Sequence, residues 1–437
     1  MKPFILLLSI LMLACQPSKS EDAVTDDGRY DPIRETADLY MSKLTELKNF
    51  NGVVLLKKQG QVILNKAYNF SSDSTSSFFV WKESQFDLRS VAKLFAKVSL
   101  VDLQATNKLK LESPLDSFVP GFPRGEEITV LHLMNHSSGL PRELAENDLK
   151  PIDMTPEDVI RLAAAEPLEF EPGTNSQYSN VGYQLLYYIV GRVHGSSFID
   201  YLRDTYFGPL NMTHSGSNFD DPKGSKIQYA YGHYLKETDS IVCECSFPDD
   251  EMRMGNLYST TGDLDSFLSS LDSTKHKEIM VDGIISQAGG TRGKRAYVER
   301  NFKEDYSIIF LANFDDLPFE RLVMDLQKLV MNKEVRIPKE VNRTSTEVTA
   351  SILKKYEGTY DLVDAGHLML TIKLENDSLF LYQKEKNNGV LYPESETVFY
   401  GDPSSEESIE FAKDSLGGFY MLVDFQGVQW KGIRVAD

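Results

Sequence analysis

The sequence is poor in the residues that build metal centres and disulfide frameworks. Its 437 residues include three cysteines, seven histidines and two tryptophans. Such low counts, scattered along the chain, predict neither zinc modules nor a disulfide scaffold, and we expect no metal or organic cofactor. Basic residues are also outnumbered: 46 lysines and arginines face 65 aspartates and glutamates, which gives a formal net charge of −19. A chain of this charge repels phosphate backbones, which argues against nucleic acid as a partner.

Glycine and proline are not in excess, at 28 and 18 residues, and 41% of the chain is hydrophobic against 25% charged. This composition is typical of a globular protein and excludes global disorder. The length is compatible with two to three domains, or with one large α/β domain and a small additional module.

An apolar run occupies the first 14 residues. After Lys2, the stretch from Phe4 to Ala14 is interrupted only by Ser9, which is the length of a signal peptide and too short to span a bilayer. The end of the run, Met12-Leu13-Ala14-Cys15, resembles the bacterial lipobox. This implies a lipid on Cys15 and anchoring to a membrane of the bacterial cell envelope, on its periplasmic or surface face. The alternative is an ordinary cleaved signal peptide followed by a spare thiol.

Apolar periodicity predicts one large domain over residues 32–335, preceded by a flexible acidic tether at 15–31. A helical pattern opens the domain, a β-hairpin follows at 53–64, helices dominate the middle, and three strands with a final helix lie between Ile284 and Met331. Strands from both ends can then pair in one sheet. We therefore expect an α/β (α+β) domain with an antiparallel sheet flanked by helices and a helical subdomain.

The remaining residues predict a linker and a second module. Residues 336–350 are charged and polar, whereas residues 351–437 alternate in the manner of short strands joined by turns. This pattern indicates a small all-β, barrel-like module. Such a module could carry a small apolar ligand, or it could cap the main cleft.

Cys243 and Cys245 are separated only by Glu244. Thiols this close in sequence form a strained disulfide. We therefore expect both cysteines to be unpaired and to lie in a strand.

Ser90 and Lys93 form a Ser-x-x-Lys motif at the start of a predicted helix. The spacing places the hydroxyl and the amine on one helical face, where an unprotonated lysine can accept the serine proton. The helix N-terminus adds a positive field that favours an alkoxide. The motif alone is weak, because Ser351 and Lys354 repeat it where no other chemical groups are near in sequence.

Two further segments strengthen the case for a catalytic serine. Tyr178 and Asn180 lie in a loop that contains Pro-Gly and leads into a helix, where a tyrosine hydroxyl can face a cleft. The segment Gln287-Ala288-Gly289-Gly290 ends a predicted strand. Glycines at that point allow the backbone to approach a ligand and to offer an N–H group to a developing oxyanion.

Three segments of the chain resemble, in their order, the motifs of the serine β-lactamase-related hydrolases. They are Ser90-x-x-Lys93, Tyr178-Ser179-Asn180 and Gln287-Ala288-Gly289. That family includes class C β-lactamases, D-Ala-D-Ala carboxypeptidase-like proteins and family VIII esterases. The resemblance covers roughly residues 35–335. It implies a β-lactamase/transpeptidase-like fold, and the module after residue 351 looks like the small lipocalin-like β-barrels appended to some of these proteins.

The resemblance also assigns roles by position. It implies that Ser90 is the acyl-forming nucleophile, Lys93 its base partner, and Tyr178 the general base that relays a proton to the leaving group. Asn180 would hold Lys93 and the substrate. The backbone N–H groups of Ser90 and Gly290 would form the oxyanion hole, with Gly289 and Gln287 beside them at the substrate.

Three further polar residues are expected to be structural rather than catalytic. His132 and His136 lie in a stretch that the family uses structurally, so we expect them to pack or to cap a helix. Asp263 is expected to act as a helix N-cap.

The third motif departs from the family at one position. Lys-Thr-Gly or His-x-Gly is usual there, and its cation often holds a substrate carboxylate, whereas this chain has the neutral Gln287. We expect weak binding of a free carboxylate unless Arg292, Lys294 or Arg295 reaches the site. The substitution favours an esterase or a D-amino-acid-type peptidase over a true β-lactamase.

Two hypotheses for function follow. The first is a serine hydrolase that acts through an acyl-enzyme on an ester or amide bond of a small molecule or peptide. The second is a lipoprotein that keeps the fold without catalysis and binds peptidoglycan fragments or a protein partner. The missing charge at Gln287 favours the second hypothesis, and the complete set of Ser90, Lys93, Tyr178 and Asn180 favours the first.

Overall fold

The computed structural model describes residues 28–220, 228–236, 240–245, 252–414, 417–425 and 427–435. The predicted signal peptide, Cys15 and most of the predicted tether lie outside these ranges. Within them, no helix combines the length and the apolar character needed to cross a membrane.

The helices and strands follow the predicted order of a mixed domain and then an all-β module. The helices are α1 (Asp31–Glu46), α2 (Ala92–Ala105), α3 (Val130–Met134), α4 (Pro156–Ala165), α5 (Asn180–His194), α6 (Phe198–Leu202), α7 (Thr261–Ser269), α8 (Phe319–Val330) and α9 (Ala350–Leu353). The strands are β1 (Gly52–Lys58), β2 (Gln61–Tyr68), β3 (Phe86–Asp87), β4 (Gly216–Ser217), β5 (Gly232–Leu235), β6 (Ile241–Glu244), β7 (Leu257–Ser259), β8 (Ile284–Thr291), β9 (Lys294–Asn301), β10 (Tyr306–Ala312), β11 (Gly358–Leu362), β12 (Leu368–Glu375), β13 (Ser378–Gln383), β14 (Lys386–Pro393), β15 (Val398–Tyr400), β16 (Ser408–Lys413), β17 (Phe419–Phe425) and β18 (Val428–Arg434).

A five-stranded antiparallel sheet in the order β2-β1-β10-β9-β8 forms the centre of the large domain. Its strands come from both ends of the domain, because β1 and β2 are the N-terminal hairpin and β8 to β10 are the C-terminal meander. Val54 of β1 pairs with Phe310 of β10, and Gly290 of β8 pairs with Arg295 of β9. The predicted antiparallel sheet is confirmed, and β8 forms one of its edges.

The central strands of this sheet are buried on both faces. Along β1, Val53 and Leu55 pack with α2, α5 and α7, whereas Val54 and Leu56 pack with α1 and α8. Successive residues of a strand point to opposite faces, and helices exclude water from each face. This explains why β1 and β10 are continuous apolar runs rather than alternating ones.

Helix α2 is the central helix of the subdomain beside the sheet, and ten of its 14 residues are buried. It contacts α5 and strand β8. A 3-10 turn, Arg89–Val91, precedes it directly. Ser179 is the N-cap of α5, and its side chain accepts the Gly182 N–H.

The strands β11 to β18 form a closed antiparallel barrel in which β18 pairs back with β11. This confirms the predicted all-β module. Its interior is filled by side chains such as Tyr356, Tyr360, Phe399 and Phe411, and the rings of Tyr356 and Phe411 stack at 4.2 Å. These rings occupy the space where a small apolar ligand would lie, so the packing gives no support to a carrier role.

The barrel is joined to the large domain by a charged cluster. Arg321 on α8 pairs with Glu406 in the loop between β15 and β16, and also with Asp325. Asp325 accepts a hydrogen bond from Tyr40 of α1 at 2.9 Å. The barrel therefore attaches on the side of the sheet that α1 and α8 cover.

We expected Cys243 and Cys245 to be unpaired, and this expectation is wrong. Cys243, in β6, and Cys245, just beyond the strand, form a disulfide. Their Cα atoms lie 5.1 Å apart, within the range that a disulfide requires. Two residues of an extended strand advance by about 6.6 Å, so the shorter Cα distance shows that the chain contracts where β6 ends, and this lets the two sulfur atoms bond although only one residue separates them.

Two expectations at the ends of elements also need correction. Tyr30, assigned to the tether, is 5% exposed and donates to Gln59 Oε1 at 2.7 Å, so the folded domain begins before residue 32.

Asp263 is not an N-cap: Thr260 caps α7 by accepting the Asp263 N–H. The Asp263 carboxylate instead accepts the His214 N–H at 2.9 Å.

A buried ion cluster joins β3, β9 and the turn before α2. The Asp87 carboxylate is fully buried and lies 3.0 Å from Lys294 Nζ and 3.7 Å from the Arg89 guanidinium. Its other oxygen accepts the Arg89 N–H at 3.1 Å. One carboxylate therefore faces two buried cations.

We expect Asp87→Asn to lower the free energy of unfolding by about 3–5 kcal/mol, because the buried Lys294 ammonium would lose the carboxylate with which it pairs. Lys43→Met is the matched control, since it breaks the exposed Lys43–Glu46 pair and should cost less than about 1 kcal/mol. Urea titration followed by circular dichroism measures both values. Equal losses in the two variants would contradict the role assigned to Asp87.

Candidate active site

Ser90 lies in the 3-10 turn that leads into α2. Arg89, the residue before it, has a φ of +48°, which is in the left-handed region that residues other than glycine rarely adopt. The Asp87 carboxylate holds this backbone by accepting the Arg89 N–H. Backbone strain of this kind persists where surrounding contacts maintain it, and it is frequent at functional sites.

Three of the predicted residues meet at one oxygen atom. Ser90 Oγ accepts hydrogen bonds from Lys93 Nζ at 3.0 Å and from Tyr178 Oη at 2.8 Å. Lys93 is 6% exposed, and its Nζ lies 5.1 Å and 5.5 Å from the ring centroids of Tyr178 and Tyr183. A serine hydroxyl in contact with two groups that exchange protons is the arrangement that nucleophilic catalysis requires.

The Tyr178 ring is fixed by its neighbours. His136 stacks on it with ring centroids 4.4 Å apart, and the Arg142 guanidinium lies 5.2 Å from its centroid. Ser179 donates its N–H to His136 Nδ1 at 3.1 Å and its hydroxyl to the Pro141 carbonyl at 2.7 Å. His136 packs as expected, but against the candidate general base itself, which makes it a positioning residue of the site.

Burial and the positive charges of Lys97 and Lys93 lower the pKa of His136 to about 4. The ring is therefore neutral near pH 7, and Nδ1 is free to accept the Ser179 N–H. Protonation of Nδ1 would break that hydrogen bond. The support of Tyr178 thus depends on a neutral histidine.

Ser90 lies between two adjoining cavities. The first has a volume of about 800 Å³ and is bordered by the loop 142–147, and the second has a volume of about 680 Å³ and is bordered by residues 287–292. Ser90, Tyr178 and Gly290 border both. Such volumes are typical of small-molecule sites, and the two parts of a cleaved substrate have room on opposite sides of the serine.

The barrel does not cap this cleft. Among the residues that the structure describes, the borders of both cavities come entirely from the large domain. The expected capping role of the module is therefore not supported.

Asn180 borders the first cavity, but its amide is engaged away from Lys93. Its Nδ2 donates to Glu143 Oε1 at 2.5 Å, and its backbone N–H donates to the Arg142 carbonyl at 2.8 Å. The expected hydrogen bond between Asn180 and Lys93 is absent from the described contacts. Glu143 accepts from the amide NH₂ group, whereas Lys93 could bind only the amide oxygen, so the Glu143 contact fixes the orientation of the Asn180 side chain.

Strand β8 lies against the Ser90 turn, and Gly289 permits this approach. A Cβ atom on Gly289 would lie 2.5 Å from the Leu88 carbonyl oxygen and 2.9 Å from Ser90 N, which is closer than non-bonded atoms allow. Gly290 follows it at the border of both cavities. The two N–H groups expected to form the oxyanion hole, those of Ser90 and Gly290, therefore belong to segments in direct contact.

Gln287 borders the second cavity, and the structure gives it a partner that sequence reasoning missed. Lys97 Nζ, one helical turn beyond Lys93, donates to Gln287 Oε1 at 3.2 Å. The available signal was the i, i+4 spacing of the two lysines, which places both on one face of α2.

Three cations were expected to compensate for the neutral Gln287 if they reached the site, and each of them has another partner. Lys294 is buried against Asp87. Arg295 donates to backbone carbonyls, and the Arg292 guanidinium lies 4.9 Å from the ring centroid of Tyr234. Arg292 and Arg295 still border the second cavity.

The second Ser-x-x-Lys motif has no comparable surroundings. Ser351 is exposed on the four-residue helix α9, and its hydroxyl contacts Thr349 at 3.1 Å. Lys354 forms an ion pair with Glu357.

His132 completes a capping box at the start of α3, as expected. In the described ranges, no group of three or more histidine, cysteine or acidic side chains is arranged to hold a metal ion.

Comparison with known proteins identifies the family. Residues 41–323, more than half of the chain, match the family model described as Beta-lactamase. The chain therefore belongs to the beta-lactamase family and has the β-lactamase/transpeptidase fold, as its motifs indicated.

Relatives extend over most of the chain. Penicillin-binding protein 4* of Bacillus subtilis (strain 168) is 26% identical over 436 residues, with 87% of this chain and 94% of that protein covered. The octameric penicillin-binding protein homologue from Pyrococcus abyssi has a TM-score of 0.61 at 22% identity, with 93% of this chain and 100% of that chain covered. The D-amino acid amidase from Ochrobactrum anthropi SV3, complexed with D-phenylalanine, has a TM-score of 0.58 at 18% identity, with 69% and 99% covered. The two solved structures share the fold.

We expect Gly289→Ala to slow the reaction of Ser90 with a fluorophosphonate, a probe for activated serines, by about tenfold or more, because the new Cβ would displace β8 from the Ser90 turn. Gly290→Ala is the matched comparison. Its Cβ would meet first the flexible Arg295 side chain at 3.0 Å, so the loss should be smaller. Intact-mass spectrometry over time gives both rates. A Gly289→Ala rate equal to that of Gly290→Ala would contradict the packing role.

Proposed function

We propose that this protein is a serine hydrolase that cleaves ester or amide bonds of a small molecule or peptide through an acyl-enzyme on Ser90. The observation that supports this proposal is the convergence of Lys93 Nζ and Tyr178 Oη on Ser90 Oγ at the junction of two cavities. Family membership supports the same reaction class.

The first half of the proposed reaction acylates the serine. Ser90 Oγ attacks the substrate carbonyl carbon, and the hydroxyl proton passes to the Lys93–Tyr178 pair. The N–H groups of Ser90 and Gly290 stabilise the oxyanion that forms. The bond to the leaving group then breaks, and the Lys93–Tyr178 pair returns the proton to the departing alcohol or amine.

The second half releases the product. A water oxygen attacks the acyl carbon while the Lys93–Tyr178 pair accepts a proton from the water. The bond between the acyl carbon and Ser90 Oγ breaks, Ser90 recovers the proton, and a carboxylic acid leaves. Asn180 borders the first cavity, and we expect it to contact the substrate during both halves.

A binding protein without catalysis is the second candidate. Gln287 favours it, because a neutral side chain stands where the resemblance leads us to expect a cation. Such a protein would bind peptidoglycan fragments or a protein partner in the same cavities. It would form no covalent adduct at Ser90.

The two candidates are separated by intact-mass spectrometry of the full-length protein after incubation with a fluorophosphonate. We expect one adduct per chain in the wild type and none in Ser90→Ala. Ser351→Ala, which removes the serine of the second Ser-x-x-Lys motif, is the matched control and should react like the wild type. Lys93→Met should slow the reaction by about 10²–10⁴-fold, because it removes a proton acceptor. A folded wild type without an adduct would overturn the hydrolase proposal and favour the binding protein.

We also propose that the protein acts at the bacterial cell envelope, held by a lipid on Cys15. The support is the sequence Met12-Leu13-Ala14-Cys15 after an apolar run. In a bacterial host, Cys15→Ala should move the protein from the membrane fraction to the soluble fraction and remove the mass of the lipid. Ultracentrifugation and intact-mass spectrometry measure the two effects. A wild-type protein with an unmodified Cys15 would contradict the proposal.

A further inference from the structure

A third cavity, with a volume of about 520 Å³, adjoins the first cavity. The two cavities have four bordering residues in common, which are Met154, Tyr187, Met254 and Gly255. From these residues the third cavity extends to the C-terminal half of α5 and to α6. The proposed reaction at Ser90 makes no use of this space. Because the cavities share a border, a ligand group that passes Tyr187 leaves the first cavity and enters the third.

A row of aromatic rings leads from the reactive serine to the third cavity. The ring centroids of His136 and Tyr183 lie 4.9 Å apart, those of Tyr183 and Tyr187 6.3 Å apart, and those of Tyr187 and Phe198 4.7 Å apart. Tyr183 borders the first cavity, Tyr187 borders both cavities, and Phe198 borders the third. Tyr183 and Tyr187 are four residues apart in α5, so they lie on one face of the helix. The rings therefore form an apolar wall that both cavities share.

The junction of the two cavities is held by a close main-chain contact with α5. Gly255 has a φ of +78°, and a Cβ atom at this position would lie 2.2 Å from Tyr187 Cε2. Gln184, on the same helix, donates its Nε2 to the Met254 carbonyl at 3.1 Å. The chain at 254–255 is thus fixed against the Tyr187 ring, which gives the passage a defined shape.

The charges at the border of the third cavity balance. Among the residues that the structure describes, the border includes three arginines and three acidic residues, namely Arg192, Arg203, Arg253, Glu157, Asp200 and Asp220. Arg203 pairs with Asp200 at 2.9 Å, and Arg253 pairs with Asp220 at 3.0 Å. A border without a net charge favours neither an anionic nor a cationic ligand group.

The inner border of the third cavity is apolar and lies at a distance from the serine. Phe198, Ile199 and Leu257 border this cavity but not the first, and each is at most 8% exposed. Apolar walls in a cavity favour the burial of an apolar ligand group. Asn180 borders the first cavity and Gly191 the third, and a rise of about 1.5 Å per residue separates them by about 16 Å along α5. A ligand group that reaches the third cavity from Ser90 must therefore be long.

We propose that the third cavity is a subsite for a long, uncharged apolar chain of the substrate, such as an alkyl chain on the ester or amide group. The inference rests on the proposed function and narrows its substrates to esters and amides of lipid-like character. The reacting carbonyl group lies at Ser90, the chain follows the rings of Tyr183 and Tyr187, and its end packs between α5, α6 and Leu257.

The test measures non-covalent binding to the full-length Ser90→Ala protein, so it does not require turnover. The two probes are N-butylacetamide and N-decylacetamide, which are both uncharged and differ only in the length of the chain. Calorimetric titration below the concentration at which the longer probe aggregates gives both dissociation constants. We expect the decyl probe to bind at least about tenfold more tightly, because the butyl chain is too short to bury methylene groups in the third cavity.

Methyl NMR of isoleucine-labelled protein locates the chain. The Ile199 signal should shift with the decyl probe and stay in place with the butyl probe, because Ile199 borders the third cavity and not the first. Absence of the Ile199 signal from the spectrum of an Ile199→Val variant assigns it.

Variants in the Ser90→Ala background assign the preference for the longer chain to the third cavity. Ile199→Ser makes its wall polar, and Ser196→Trp places a large ring at an exposed position on its border. Each should lower the ratio of the two dissociation constants by about threefold or more. Val281→Ser and Ser273→Trp are the matched controls, since they make the same kinds of change at exposed positions outside the cavities described above, and they should leave the ratio unchanged.

Three results would overturn the inference: equal binding of the two probes, no measurable binding of either, or a preference that survives both Ile199→Ser and Ser196→Trp. If Ile199→Ser does not fold, as thermal melting would show, Ser196→Trp decides the question alone. Failure of the proposed function has a different signature. In that case wild-type protein gives no phosphonate adduct, while the preference for the decyl probe and its loss in the variants remain. That result would overturn the hydrolase proposal and retain the third cavity as a site for an apolar chain.

Discussion

The close main-chain contact between β8 and the turn that carries Ser90 is the constraint on which the site depends. It joins strand β8, in the C-terminal meander, to the turn before helix α2. Gly289 is the residue that lets the two backbones touch. The Asp87–Lys294 ion pair links the same two regions by charge. With these segments held together, Gly290 lies beside Ser90 and Gln287 lies opposite Lys97. Without this approach, the Gly290 N–H would not lie beside Ser90, and Lys97 would not reach Gln287.

Most of the fold could be predicted from the sequence, because its signals are local. The hairpin expected at 53–64 is β1 and β2, and the three strands and helix expected between Ile284 and Met331 are β8, β9, β10 and α8. These elements are long enough to show a period or a continuous apolar run. Strands β3, β4 and β7 have two or three residues each, so they carry no period and depend on the neighbours with which they pair. The Cys243–Cys245 disulfide was missed because the chain contracts where β6 ends, and no local pattern in the sequence indicates that change.

The positions of site residues could be predicted where helical spacing or the order of the motifs fixes them. They could not be predicted where a side chain contacts a partner that is distant in sequence. Ser90 and Lys93 are one helical turn apart, so their contact follows from α2 itself. The Asn180 amide NH₂ group donates to Glu143, and this contact depends on the position of the 142–147 loop, which no local pattern in the sequence fixes. The contact of Lys97 with Gln287 depends on the packing of α2 against β8, which no local pattern records. Residues that adjust the site are therefore harder to find in a sequence than residues that carry out the reaction.

The net charge of the chain and the half-buried charge of Lys97 act over different distances. A formal net charge of −19 disfavours an anionic substrate at long range, although salt near 0.1 M screens such fields beyond about 10 Å. At contact distance the situation differs, because partly buried charges such as that of Lys97 act through a lower dielectric than water. An exposed lysine would be hydrated, whereas the Gln287 amide gives a directed donor whose orientation Lys97 fixes. The contact with Lys97 therefore sets the geometry of the Gln287 amide at the border of the second cavity, independently of the net charge of the protein.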